Sequence, residues 1–187
     1  MKEKIKFFFI LFVIYFTLTL KINSIEIRQL ASVDNNLINN HDLMIEVKLN
    51  ETLRGGKILK NQYNLILDKL IEYKIKELEI KKNKIQIPES VITENLMKII
   101  DISRVEKNIL DKLMKNIEIE IGWKKLIYIE YRNKLEINLN EIEEIKNKSK
   151  ANESGENLIL MEKNKKINII EVTHFNKVKN QYLIKKY

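Results

Sequence analysis

From Gln62 to Lys82 the apolar residues Leu67, Leu70, Ile71, Ile75 and Leu78 recur at helical spacing. They fall on one stripe and predict a long amphipathic helix. The same spacing carries Leu43, Met44 and Val47 up to about Leu53, and Val91, Ile92, Leu96, Ile99 and Ile100 up to about Asp101. Val105, Ile109, Leu110, Leu113 and Met114 predict a short helix ending near Asn116. Trp123, Leu126, Ile127 and Tyr131 predict a separate one over 119–135.

Punctuation supports these boundaries. Asp42 stands where an N-cap belongs, and Gly55-Gly56 breaks the first helix. Pro88 fits only the first turn of the next helix. Ser103 with Glu106 reads as a capping box. Asn140 with Glu143 reads as another cap, opening a short helix through Ile142 and Ile145.

Strand signals are confined to the two ends. Ile25, Ile27 and Val33, then Asp34-Asn35-Asn36, then Leu37-Ile38 predict a small hairpin. Residues 147–157 (NKSKANESGEN) lack any apolar period and predict a polar linker. Beyond it, LILM (158–161) and INIIEVTHF (167–175) read as two strands, and VKNQYLIKKY as a closing amphipathic piece. The fold class is therefore mainly α, a multi-helix domain with a small sheet formed by N-terminal and C-terminal segments.

The first 24 residues have a different character. Lys2, Lys4 and Lys6 precede an apolar run from Phe7 to Leu20. Fourteen residues are too few for an ordinary span of about 20, but they suit the core of a secretory signal, with cleavage near Ser24. An uncleaved inner-membrane anchor, giving transient membrane association through this segment, is the alternative. The resulting organisation is a signal peptide at 1–24 and a helical domain at 25–146. The linker follows at 147–157, and 158–187 is a C-terminal segment completing the core.

Composition changes this picture little. The 187 residues include 34 Lys and Arg against 26 Asp and Glu, one Pro, four Gly and no Cys. Without Cys there is no disulfide framework, thiolate metal site or thiol nucleophile. Scarce Pro and Gly disfavour an all-β fold. The charge of +8 does not point to nucleic acid, because only four of the basic residues are Arg and the Lys alternate with Glu. Stretches such as KELEIKKNK (76–84) read as solvated helix faces. Ile, Asn and Lys share A/T-rich codons, which accounts for their abundance.

Catalytic chemistry is hard to find. His41 sits at a helix start, and His174 falls in a predicted strand as a surface or edge residue. Neither has a partner at metal-ligand spacing. Gly55-Gly56 lacks the Lys-Ser/Thr of a phosphate loop. No catalytic residue, metal ligand or cofactor is assigned. Met44, Met97 and Met114, whose side chains adapt to varied apolar partners, and Trp123 are the candidates for contact with a bound polypeptide, beside a core-packing role.

The order of these elements resembles the N-terminal chaperone domain of SurA-like periplasmic proteins. The matching stretches are IRQLASVDNNLINNHDLMIEVKL (27–49), ILDKLIEYKIKELEIKKNKIQIPESVITENLMKI (66–99) and IGWKKLIYIEYRNKLEINLNEIEEI (121–145). The resemblance implies a helical cradle in the periplasm that binds unfolded outer-membrane polypeptides without ATP; export and the scattered Lys argue against nucleic acid. It also implies parvulin-type prolyl isomerase domains after the cradle, and about 30 residues beyond the linker leave no room for one. A diverged or truncated isomerase and a membrane-anchored interaction protein are the rival readings. The expected function is holding, not catalysis.

Overall fold

The computed structural model describes residues 26–136, 140, 143, 144 and 155–187. The expected signal peptide lies outside the described residues, as do most of the linker and positions 142 and 145 of the expected short helix.

The hairpin forms as expected. Strand β1 (Gln29–Val33) pairs antiparallel with β2 (Asn36–Asn39), with Ala31 opposite Ile38 and Val33 opposite Asn36. The turn places Asp34 at φ 50, a left-handed conformation that Asp tolerates because its short polar side chain bonds locally. The Asp34 carboxylate accepts the Leu183 N–H at 2.8 Å, and the Asp34 N–H donates to the Leu183 carbonyl at 2.8 Å. This two-way contact docks the C-terminal strand β3 (Ile184–Lys186) on the free edge of β1, giving the order β2-β1-β3. The strand begins later than the apolar pattern implied; Ile27 precedes it and is exposed.

Helix α1 (Asn40–Arg54) opens with a capping box, but Asn39 is the cap and Asp42 the third residue. The Asn39 side chain accepts the N–H groups of His41 and Asp42, and the Asp42 carboxylate accepts the Asn39 N–H at 2.9 Å. Either residue type satisfies orphan donors at a helix start, so Asp42 alone misplaced the cap by three residues. Gly55 ends the helix at φ 68, where a residue with a Cβ would be strained.

Helix α2 (Tyr63–Lys82) follows a single 3-10 turn, and α3 (Glu89–Ile99) begins directly after Pro88. Helix α4 (Lys107–Tyr131) is continuous, where two helices were expected. It contains neither Gly nor Pro before Gly122, and Ile109, Leu113 and Ile117 repeat without interruption. The Ser103–Glu106 box does not form. The Ser103 hydroxyl and N–H both donate to the Asp101 carboxylate, closing a 3-10 turn. Glu106 instead takes Lys48 at 2.6 Å.

The largest correction concerns the C-terminal segment. Residues 158–175 are not two strands but lie within one helix, α5 (Gly155–Lys179). Residues 155–157 of the expected linker form its first turn. Its β-branched runs suggest strand, yet Ile159, Ile167, Ile170, His174 and Val178 share one helical face that is wholly or partly buried. Burial of that face outweighs the weak intrinsic preference of Ile for extended backbone.

Three apolar clusters hold these elements together. Ala31, Val33 and Ile38 of the sheet pack on Leu70, Ile71 and Ile75 of α2 and Val178 of α5. Leu49 of α1 packs with Ile92, Leu96, Ile109, Leu113 and Ile117 of α3 and α4. Tyr73 and Ile80 pack around Trp123, Leu126 and Ile127, with Ile170 and Phe175 of α5 against them. Helices α2 and α5 each serve two clusters, so the C-terminal segment contributes to the core. The mainly helical class with a small sheet from both chain ends holds.

Candidate functional site

A groove of about 320 Å³ runs where α1, α2, α3 and α4 meet. Its apolar lining is Leu49 and Leu53 of α1, Ile99 of α3, and Leu113, Ile117 and Ile121 of α4. Leu49, Leu113 and Ile117 also build the α1/α3/α4 cluster and Ile121 packs against it; Leu53 and Ile99 follow at i+4 from Leu49 and i+3 from Leu96. Leu53 is 43% exposed and Ile99 is 50% exposed, so apolar surface remains in contact with water there.

The polar lining is ordered by hydrogen bonds. Glu46 is 1% exposed. A buried carboxylate is costly unless paired, and this one has three partners. The Asn116 amide donates to both its oxygens, at 3.3 and 3.1 Å, Asn50 donates at 3.2 Å, and Lys112 lies at 3.4 Å. Asn50 also donates to the Glu46 carbonyl at 2.7 Å, and Asn95 donates to the Val91 carbonyl at 2.8 Å. Burial pushes the Tyr73 hydroxyl upward, and the nearby Glu120 and Glu46 carboxylates push the same way. Lys69 lies 5.2 Å from the Tyr73 ring centroid. Glu46 and Glu120 balance Lys69 and Lys124, so the lining carries no net charge.

A second, more polar cleft of about 370 Å³ lies between α2, α4 and α5. Here Lys76 is buried between Glu72 at 2.7 Å and Glu120 at 3.3 Å, 5.9 Å from the Trp123 ring centroid. Burial raises the Glu171 carboxyl on the same cleft; Lys124 and Lys76 oppose that rise. The 76–84 stretch is thus not wholly solvated: Lys76 and Glu79 are both buried, and Tyr182 donates to Glu79 at 2.7 Å.

His174 is also not a surface residue. It is buried on α5, with Nδ1 2.9 Å from the Tyr131 hydroxyl and 3.4 Å from Glu130. The ring lies tilted at 49° beside Trp123, 5.2 Å between centroids, and anchors α5 on α4. Among the described residues no cluster of three or more His, Cys, Asp and Glu could hold a metal ion.

The four sequence candidates are dispersed. Met44 on α1 and Met97 on α3 are exposed, Met114 packs on the α1/α3/α4 cluster, and Trp123 is 1% exposed within another cluster. None of them lines the four-helix groove. Sequence reasoning missed Asn50, Asn95 and Asn116. Their only signal was an Asn at a helix-interior position flanked by core residues, and Asn is too abundant in this chain for that to stand out. Compared with known proteins, the chain matches no protein-family model and no curated protein.

Proposed function

We propose that the chain is an exported, ATP-independent holdase that binds unfolded outer-membrane polypeptides. The observation that carries this reading is the four-helix groove, apolar along its walls, uncharged overall and open to solvent. Exposed apolar surface of this kind marks interaction sites. The ordered resemblance of residues 27–49, 66–99 and 121–145 to a SurA-like chaperone domain supports the same reading, and the N-terminal signal pattern supports the location.

The mechanism is mass action. A protein that binds the unfolded chain and not the folded one lowers the free unfolded concentration. An apolar segment lodged in the groove is withheld from strand pairing with other chains, the route by which exposed edges aggregate. No covalent step is involved, and prolyl isomerisation is not part of the proposal.

The test is light scattering of a urea-unfolded outer-membrane β-barrel protein diluted into buffer with the chain. Suppression at near-stoichiometric ratio without ATP is the expected result. Unchanged scattering, with circular dichroism showing the chain folded, would count against the function.

A further inference from the structure

The groove's polar chemistry is one-sided. Asn50 on α1 and Asn95 on α3 each direct the amide nitrogen to a carbonyl four residues back in their own helix. The orientation is not arbitrary: the oxygen of either amide facing that carbonyl would oppose acceptor to acceptor. Each half-buried side chain therefore presents Oδ1 away from its own helix backbone, and no donor among the described residues reaches either oxygen. Asn116 on α4 differs, being itself buried. Its nitrogen is held by both oxygens of Glu46, and its Oδ1 is buried without a hydrogen-bond partner among the described residues. Asn50 and Asn95 thus bring two open amide acceptors, on two helices, to one groove.

Such a lining selects a ligand that is apolar, uncharged and rich in N–H donors. An anion is disfavoured by the acceptors and a cation has no net charge to meet. An extended polypeptide segment fits: it alternates its side chains between two faces and carries main-chain N–H groups that cost free energy if buried without acceptors. We infer that the groove binds an extended aliphatic polypeptide segment through its main-chain N–H groups, accepted by Asn50 and Asn95. Recognition by main chain makes the site tolerant of sequence and dependent on an unpaired backbone, which folded proteins do not offer. The inference rests on the holdase reading only for the source of the segment.

The test compares a dye-labelled peptide of alternating Leu and Ser with its ester analogue. In the analogue the central amides are replaced by esters, which removes donors at nearly constant shape. Fluorescence anisotropy against the full chain should show the ester weaker by about fivefold for each donor the site uses. Asn50→Leu combined with Asn95→Leu should abolish that difference. Equal affinity of the two peptides for the unaltered chain, or no binding of either, would overturn the inference without recourse to any variant. So would discrimination that persists in the doubly substituted chain. Loss of aggregation suppression with peptide discrimination intact would remove the holdase reading and leave the ligand class standing.

Discussion

The Asn116 amide and the Glu46 carboxylate meet inside the molecule, 70 residues apart in sequence, at 3.1 and 3.3 Å. Glu46 is 1% exposed and Asn116 6%, so neither can turn to water. The contact fixes α1 against the middle of α4.

Asn116→Leu should therefore cost about 2–3 kcal/mol, since it leaves the buried carboxylate with poorer compensation. Glu46→Met together with Asn116→Leu should cost less than the sum of the single changes. Urea denaturation of the four proteins in the cycle measures this. Additive losses would show that the pair is not coupled.

Glu77 gives a pH dependence. Burial raises its carboxyl, but hydrogen bonds from Lys81 and Lys74 and the charges of Lys74 and Lys115 overcome this and hold it at about 2, against an ordinary 4.5. The unfolded chain then binds more protons than the folded one between those values. The contribution to stability is complete above 4.5 and is lost as pH falls toward 2. The Lys81 partner is largely exposed, so solvent screening reduces the effect to about 1 kcal/mol. Glu77→Gln should flatten that part of the stability–pH curve, as read by thermal melts across the window.

Removal of residues 183–187 should destabilise the fold by about 2–4 kcal/mol. It strips β3 from β1, breaks both Asp34–Leu183 bonds, and uncovers Ala31 and Val33, which are fully buried in the intact sheet. The bared β1 edge should also promote self-association, visible by analytical ultracentrifugation. Unchanged stability would mean that β3 is peripheral to the core.

Gly122 sits where α4 approaches α2. A Cβ there would lie 3.0 Å from Ile80 Cδ1 and 3.3 Å from two further Ile80 atoms. Gly→Ala gains about 1 kcal/mol of helix propensity, while overpacking costs about 1–3 kcal/mol. Gly122→Ala should be net destabilising in thermal denaturation, and Ile80→Val in the same chain should recover part of the loss by removing Cδ1.

Helices α1, α2 and α3 and the hairpin were legible because their periods are local: α2 follows its apolar stripe, and the Asp34 turn announces itself. What was not legible depends on contacts far away in sequence. Ile167–Ile170 looks like strand until the rest of α5's buried face is seen to lie on α2 and α4. Asn116 looks like a helix end until Glu46 is opposite it. The groove was hidden for the same reason. Met and Trp are conspicuous letters, but the groove's acceptors are Asn residues whose meaning depends on which carbonyl each amide nitrogen has taken.

Photo-crosslinking tests the central claim most directly. Benzoylphenylalanine placed at Leu53 or Ile99, both exposed positions of the groove, should capture an unfolded outer-membrane β-barrel polypeptide, and the same probe at Met44, outside the lining, should not. Capture confined to positions 53 and 99, lost when the barrel protein is folded beforehand, is the predicted result. Equal capture from Met44, or none from the groove while aggregation is still suppressed, would contradict the account.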